Sequence, residues 1–211
     1  NPYTDDPVEL GRICAELLER EIVFQGPDTV AAFIAEPVQG AGGVIVPPEN
    51  YWPAVRQVCD RHGVLLIFDE VVTGFRAHPA GVQGLYGIRA DLATYGKVVG
   101  GGFPIGVMAG RREYMDALDG GDWRYGDESV PGVGVTYFAG TFVRHPLALA
   151  TAHATLEHLR EQGPALQEGL TARTAAMVAR VNAAMAGLGV PFKLATFASL
   201  WRNVFADDLP Y

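Results

Sequence analysis

Cysteine is scarce in this chain. Only Cys14 and Cys59 occur, on two separate predicted helices. A chain so poor in cysteine does not rest on a disulfide framework, and the expectation is two free, buried thiols in a reducing, cytoplasmic compartment. Positive charge is also in short supply. Sixteen Lys and Arg face 24 Asp and Glu, a net charge of −8, and the basic residues form no cluster. That argues against nucleic acid and against an anionic membrane surface as partners. No apolar run approaches the ~20 residues that a membrane-spanning helix needs, and no signal peptide opens the sequence. Metal-ligand spacing is missing as well. His78, His145, His153 and His158 pair with no cysteine or second ligand set, and His153 and His158, five apart, do not share a helix face. Gly100-Gly101-Gly102 is not followed by Lys-Ser or Lys-Thr, which excludes a P-loop.

What is present is ample material for a core. Of 211 residues, 49% are apolar and 19% charged, close to the globular average. The 26 glycines and 14 prolines follow no collagen-like period and imply many tight turns. The length suits one domain, or one domain and part of another. The chain opens at Asn1, directly before a helix start. It stops at Tyr211, soon after the apolar stretch Phe192 to Phe205, whose strands need partners. A piece of a longer protein is expected.

The first helix is announced by Asp6 as N-cap, Pro7 at the first helical position and Glu9 completing a capping box. Leu10, Ile13, Leu17 and Leu18 recur at helical spacing before Gly26-Pro27. Val30 to Ala35 reads as a strand buried on both faces, closed by Glu36-Pro37. A Gly-rich loop, Gly40 to Gly43, leads to a second helix at roughly Glu49 to His62, with Gly63 as C-cap. Val64 to Phe68 is a second apolar strand, so the segment is a βαβ unit of a parallel sheet. The stretch with Gly74, Gly81, Gly84 and Gly87 reads as a loop. Asp91 to Thr94 is a third short strand and Ile105 to Ala109 a fourth. After the Gly120 to Gly140 loop come helices at Pro146 to Gln162 and Pro164 to Leu188. Trp52, Trp123 and Trp201 read as core or interface residues.

Ligands of open parallel sheets bind beyond the carboxyl ends of the strands. Glu36, Asp69 and Lys97 each follow or end a predicted strand. Taken singly, the carboxylates are turn caps and the lysine is a surface residue. Together they put two carboxylates and an amine at one sheet edge, and charges seldom gather there without a task. A lysine can form a Schiff base with an aldehyde cofactor. Pyridoxal 5′-phosphate (PLP) is such a cofactor and needs a carboxylate at its ring nitrogen. Asp69, ending a rigid strand, suits that role. Lys97, on a Gly-flanked loop, suits an amine that swings between cofactor and substrate.

Four blocks carry a family resemblance: AEPVQG (35–40), DEVVTGFR (69–76), DLATYGKVVGGGFPIG (91–106) and YFAGTFVRHPLALA (137–150). In order and spacing they resemble the class III aminotransferases of fold type I. GFRAHPAGVQGLYGI and RREYMDAL are most similar to the branch with glutamate-1-semialdehyde aminomutase. FAGTFVRHPLA is similar to aminotransferase domains embedded in polyketide synthases and nonribosomal peptide synthetases. The resemblance implies an α/β, fold type I PLP-dependent transferase with a mostly parallel sheet flanked by helices. It divides the chain into part of a large PLP-binding domain (1–150) and linking helices plus the start of a small C-terminal α+β domain (151–211). It implies that Lys97 is the Schiff-base lysine and proton shuttle, Asp69 the partner of the ring nitrogen, Val71 the packing on one ring face, and Gln39 a neighbour of the ring hydroxyl. Thr141 would bind the phosphate of the other subunit in a homodimer, and Glu36 would border the substrate side. The family's phosphate-binding turn and ring-stacking aromatic are expected upstream of Asn1. The implied reaction is transamination between a small-molecule amine donor and a carbonyl acceptor, one that a carrier could bear. The rival in chemistry is a 2,1-aminomutase, against which Gln39 counts. The rival of another class is a non-catalytic fragment that keeps the fold.

Overall fold

A computed structural model describes residues 3–205. Helix α1 (Pro7–Gln25) starts where Asp6 accepts the Val8 N–H at 2.9 Å. The reciprocal half of the expected capping box does not form. The Asp6 N–H donates to Thr4 instead, and the Glu9 carboxylate turns outward to Arg12, an opposite charge three residues away on the same helix face. Strand β1 (Ala32–Ala35) is shorter than the apolar run suggested. It is half-buried rather than buried on both faces, with Ile34 59% exposed, because it forms the edge of the sheet among the described residues. Helix α2 (Tyr51–His62) is closed by Gly63 in the left-handed conformation and returns the chain to β2 (Leu65–Asp69).

The Gly-rich stretch read as a loop contains a short helix, α3 (Gly81–Tyr86). Four glycines in 14 residues hid it, since glycine disfavours helix by ~1 kcal/mol per residue. Strand β3 (Leu92–Tyr95) follows, then a 3-10 turn (Lys97–Gly100), β4 (Val107–Gly110) and helix α4 (Arg112–Asp119). Helices α5 (Pro146–Gln162) and α6 (Pro164–Gly187) lead to a hairpin of β5 (Phe192–Phe197) and β6 (Leu200–Phe205).

The main sheet has the order β1-β2-β3-β4, the first three strands parallel and β4 antiparallel. The expected βαβ unit and mostly parallel sheet are therefore both present. The β5–β6 hairpin is a second, antiparallel sheet that packs on α6, where the Asn182 amide brackets Leu194 through both its backbone groups. The boundary expected at residue 150 falls inside α5.

The core lies between α1, α2 and one face of the sheet, around Ala15, Trp52, Val55, Cys59, Leu66, Phe68 and Ala93. Trp52 stacks edge-on against Phe68 at 4.6 Å and donates its indole N–H to the Pro37 carbonyl at 2.9 Å. It thus ties α2 to the turn after β1. Trp123 and Trp201, by contrast, are exposed. Cys59 is buried but Cys14 only half-buried, and both are free thiols. Among the described residues no helix is long and apolar enough to cross a membrane, and no group of His, Cys, Asp and Glu could hold a metal ion.

Candidate active site

In the parallel register Ala35 pairs with Phe68 and Asp69 with Thr94. Glu36 is therefore level with Asp69, one strand spacing (~4.8 Å) away, and Lys97 follows three residues beyond Thr94. The three groups predicted to converge do share one sheet edge.

Their surroundings differ. Lys97 is exposed, opens a 3-10 turn and holds a left-handed backbone, φ 44°. For a non-glycine residue that conformation is strained, a feature that clusters at functional sites. A Cβ on the preceding Gly96 would lie 3.3 Å from the Ile105 carbonyl, a tight approach that the missing side chain eases, and 3.4 Å from Val71 Cγ1, an ordinary contact. Lys97 and Val71 line a cleft of about 1060 Å³ together with Tyr95, Thr141 and Arg144. Its other walls are mostly apolar, among them Ile105, Val107 and Phe142, and among the described residues no carboxylate lines it. Arg144, also left-handed at φ 60°, lies over the Phe138 ring, 5.9 Å from its centre.

Asp69 stands just behind Val71. Its Oδ1 accepts the Val71 N–H at 2.9 Å and the Thr94 hydroxyl at 3.4 Å. These bonds fix the carboxylate plane and leave Oδ2 without a hydrogen bond from any described residue. Glu36 accepts the Gly40 N–H at 2.9 Å, and its role in the fold is to shape the 36–45 turn. Gln39 is exposed on that turn and exchanges backbone hydrogen bonds with Ile45. The structure thus gathers Lys97, Val71 and Thr141 in one cleft. Asp69 is outside the lining, hydrogen-bonded to the backbone of the cleft residue Val71, and Glu36 and Gln39 lie at the same sheet edge, also outside the cleft walls.

Sequence reasoning passed over Glu70. It is fully buried and accepts three hydrogen bonds: the Thr73 hydroxyl at 2.7 Å, Val82 N–H at 2.9 Å and Gln83 N–H at 3.0 Å. The Gln83 amide in turn donates to the Tyr95 hydroxyl at 3.0 Å. Burial first, then the Glu70 charge, push the Tyr95 hydroxyl above its ordinary pKa, so it stays protonated. The one sequence signal was an acidic residue directly after a strand-terminal Asp, with Gly81 eleven residues on. At the opposite end of β3, buried Asp91 accepts the Leu66 N–H at 2.7 Å and pairs with Arg56 at 2.7 Å and Arg111 at 3.1 Å. Burial pushes its carboxyl up, but that amide and the two guanidiniums outweigh it and hold the pKa below the usual range.

A primary amine in an apolar cleft and a strand-end carboxylate with one oxygen free define an α/β protein with an amine–carboxylate site at the carboxyl edge of its sheet. The profile of "Aminotransferase class-III" matches residues 4–187, and the chain belongs to that family. Among its relatives is a glutamate-1-semialdehyde 2,1-aminomutase of Nitratidesulfovibrio vulgaris, 41% identical over 179 residues, which cover 85% of this chain and 39% of that protein. Another, glutamate-1-semialdehyde 2,1-aminomutase 2 of Lachnoclostridium phytofermentans, is 45% identical over 141 residues, 67% of this chain and 30% of that protein. Similar solved structures include an amine transaminase from an uncultivated Pseudomonas species in a PLP-bound form (TM-score 0.74, 35% identity, 94% of this chain and 43% of that one). A beta-phenylalanine aminotransferase from Variovorax paradoxus has TM-score 0.73 and 31% identity over 92% of this chain and 42% of that one. The chain thus spans less than half the length of these relatives. The fold is that of the fold type I transaminases.

The family's cofactor is PLP, and the residues present fit it. Lys97 offers an amine to an aldehyde, Asp69 Oδ2 is free for a ring N–H, and Val71 presents an apolar wall beside Gly96.

Proposed function

We propose that the protein is a PLP-dependent transaminase that moves an amino group from a small-molecule amine donor to a carbonyl acceptor. The observation that carries the reading is Lys97, strained and exposed in an apolar cleft, at the same sheet edge as the fixed carboxylate of Asp69. When bound, PLP supplies an electron sink for the substrate carbon. Lys97 Nζ holds the cofactor's aldehyde end and, when released from it, carries a proton to and from that carbon. Asp69 keeps a proton on the ring nitrogen through Oδ2, while the Val71 N–H and the Thr94 hydroxyl stop the carboxylate from turning away. Val71 covers one ring face and excludes water there. Gln39 serves the ring hydroxyl, Glu36 borders the substrate, and Thr141 offers its hydroxyl to the phosphate. The same reading keeps the division near residue 150 and a cytoplasmic location, which the free thiols suit. A carrier-borne acceptor is favoured by the likeness of FAGTFVRHPLA to synthetase-embedded domains.

The test is a half-reaction. Full-length protein loaded with PLP, given a donor alone, should release about one carbonyl product per site, and a carbonyl acceptor should then restore the starting spectrum. The second reading, a 2,1-aminomutase, is favoured by the 41–45% identity to such enzymes. It predicts isomerisation of one substrate with no separate carbonyl product.

We also infer a homodimer with shared sites. Its support is the run of exposed apolar side chains around Thr141, including Tyr125, Val130, Tyr137 and Phe142. Within one chain, however, Thr141 lines the Lys97 cleft, which favours use in its own site. Complementation separates the two. Mixing inactive Lys97→Ala and inactive Thr141→Ala chains restores activity if sites are shared, because one site of each mixed dimer then carries neither defect. Own-site use predicts no recovery.

A further inference from the structure

We propose that Glu70 is a positioning residue for the cofactor cleft, acting through Gln83 on Tyr95. The proposal rests on the PLP-site reading of Lys97.

A carboxylate with no solvent exposure needs a reason, since burying a charge is costly unless it is fully bonded. Glu70 is fully bonded. Its Oε2 takes the Thr73 hydroxyl and the Val82 N–H, and its Oε1 takes the Gln83 N–H. Gly81 is shaped around it. That residue has φ +71°, and a Cβ there would sit 2.3 Å from Glu70 Oε1. These bonds hold both ends of the segment 70–83 to one point directly after β2. Asp69 and Val71, the carboxylate and the cleft wall, flank that point in the chain.

The link to the cleft runs through one side chain. With its backbone N–H on Glu70, Gln83 reaches its amide to the Tyr95 hydroxyl. Tyr95 ends β3, lines the cleft and stands two residues before Lys97. Its other ring neighbour is Phe75, at 5.4 Å, itself left-handed at φ 62° and inside the same clamped segment. Two contacts of Tyr95, with Gln83 and with Phe75, therefore come from the segment that Glu70 ties down, alongside its packing on the core cluster. Lose the tie, and the cleft wall beside Lys97 loses two of its supports.

The experiment is a PLP titration of full-length apoprotein at 25 °C, read by absorbance and cofactor fluorescence, alongside a thermal melt. Glu70→Gln keeps the shape but turns one acceptor oxygen into a donor that faces N–H or O–H groups. Gln83→Leu keeps the backbone bond to Glu70 and cuts only the arm to Tyr95. Tyr95→Phe cuts the same arm from the other side. Expected is a PLP Kd raised roughly tenfold, about 1.4 kcal/mol, in Gln83→Leu and Tyr95→Phe, with little change in Tm, and at least as much in Glu70→Gln. If Glu70→Gln fails to fold, the two arm variants carry the test. A merely structural Glu70 would lower the Tm of Glu70→Gln and leave PLP affinity unmoved in all three, and that result overturns the proposal. Failure of wild-type apoprotein to bind PLP at Lys97 would instead overturn the functional reading beneath it.

Discussion

Replacing Asp91 by alanine should destabilise the protein by about 3–5 kcal/mol, the range for breaking a buried ion pair on one side. Asp91 is only 2% exposed and holds three elements together: β2 through Leu66, α2 through Arg56 and the start of α4 through Arg111. Alanine orphans the Leu66 N–H, a loss of about 1–3 kcal/mol for a buried donor. It also leaves Arg56, whose side chain is 16% exposed, with Asp60 as its remaining ion-pair partner. Arg111, 45% exposed, adds under about 1 kcal/mol because water screens it. Across a chain of this size the sum lowers Tm by about 6–20 °C. The pH dependence has a definite sign. The folded-state pKa of Asp91 lies below its unfolded value of about 3.9. The stabilisation is thus fully present above that value and is lost as pH falls through the folded one. The gap between wild type and Asp91→Ala in urea denaturation should stay level from about pH 5 to pH 8 and close only below about pH 4. A gap below 1 kcal/mol at pH 7, or one that widens in acid, refutes this account of the tether that sets β3 and, at its far end, Lys97.

Asp69→Asn keeps the bonds to Val71 and Thr94 but cannot hold a proton on a ring nitrogen. It should lower turnover by roughly 10³, the ~4 kcal/mol that a lost partner at a reacting centre represents, and near wild-type turnover would remove Asp69 from the mechanism. Trp52→Ala should cost about 3–5 kcal/mol in chemical denaturation, since the ring is buried and its N–H is bonded to Pro37. A loss under 1 kcal/mol would show that α2 is not anchored there. Burial pushes the Cys59 thiol up to about 11. It should resist alkylation in the native protein at pH 8 and react on unfolding, as peptide mapping would reveal, and rapid native labelling would contradict its place in the core.

Local signals carried much of the fold. Asp6 and Pro7 start α1, Gly63 ends α2, and two apolar runs around a helix specify a parallel pair. That Glu36, Asp69 and Lys97 lie at the same end of the sheet followed from strand ends alone, but of the three only Lys97 lines the cleft. What escaped depended on contacts distant in sequence. Helix α3 is glycine-rich and is held by a carboxylate eleven residues upstream, which no local propensity records. Glu9 has two possible partners, and only the rotamer of Arg12 decides between them. The apolar run at Val30 to Ala35 could not reveal that β1 lies at the edge of the described sheet. Neighbouring strands decide that. The difference between Asp69 and Glu70 is likewise invisible in sequence, since the groups that enclose Glu70, namely Thr73, Val82 and Gln83, come from the segment that follows.

These 211 residues contain two lysines, Lys97 and Lys193. Lys193 is exposed on β5, within the separate hairpin sheet, and Lys97 lies in the cleft. Full-length protein loaded with PLP is reduced with borohydride, digested, and its peptides mapped by mass spectrometry. The account predicts a pyridoxyl label on Lys97, present at about one per chain and absent from Lys97→Ala. A label on any other lysine, or none at all, would contradict it.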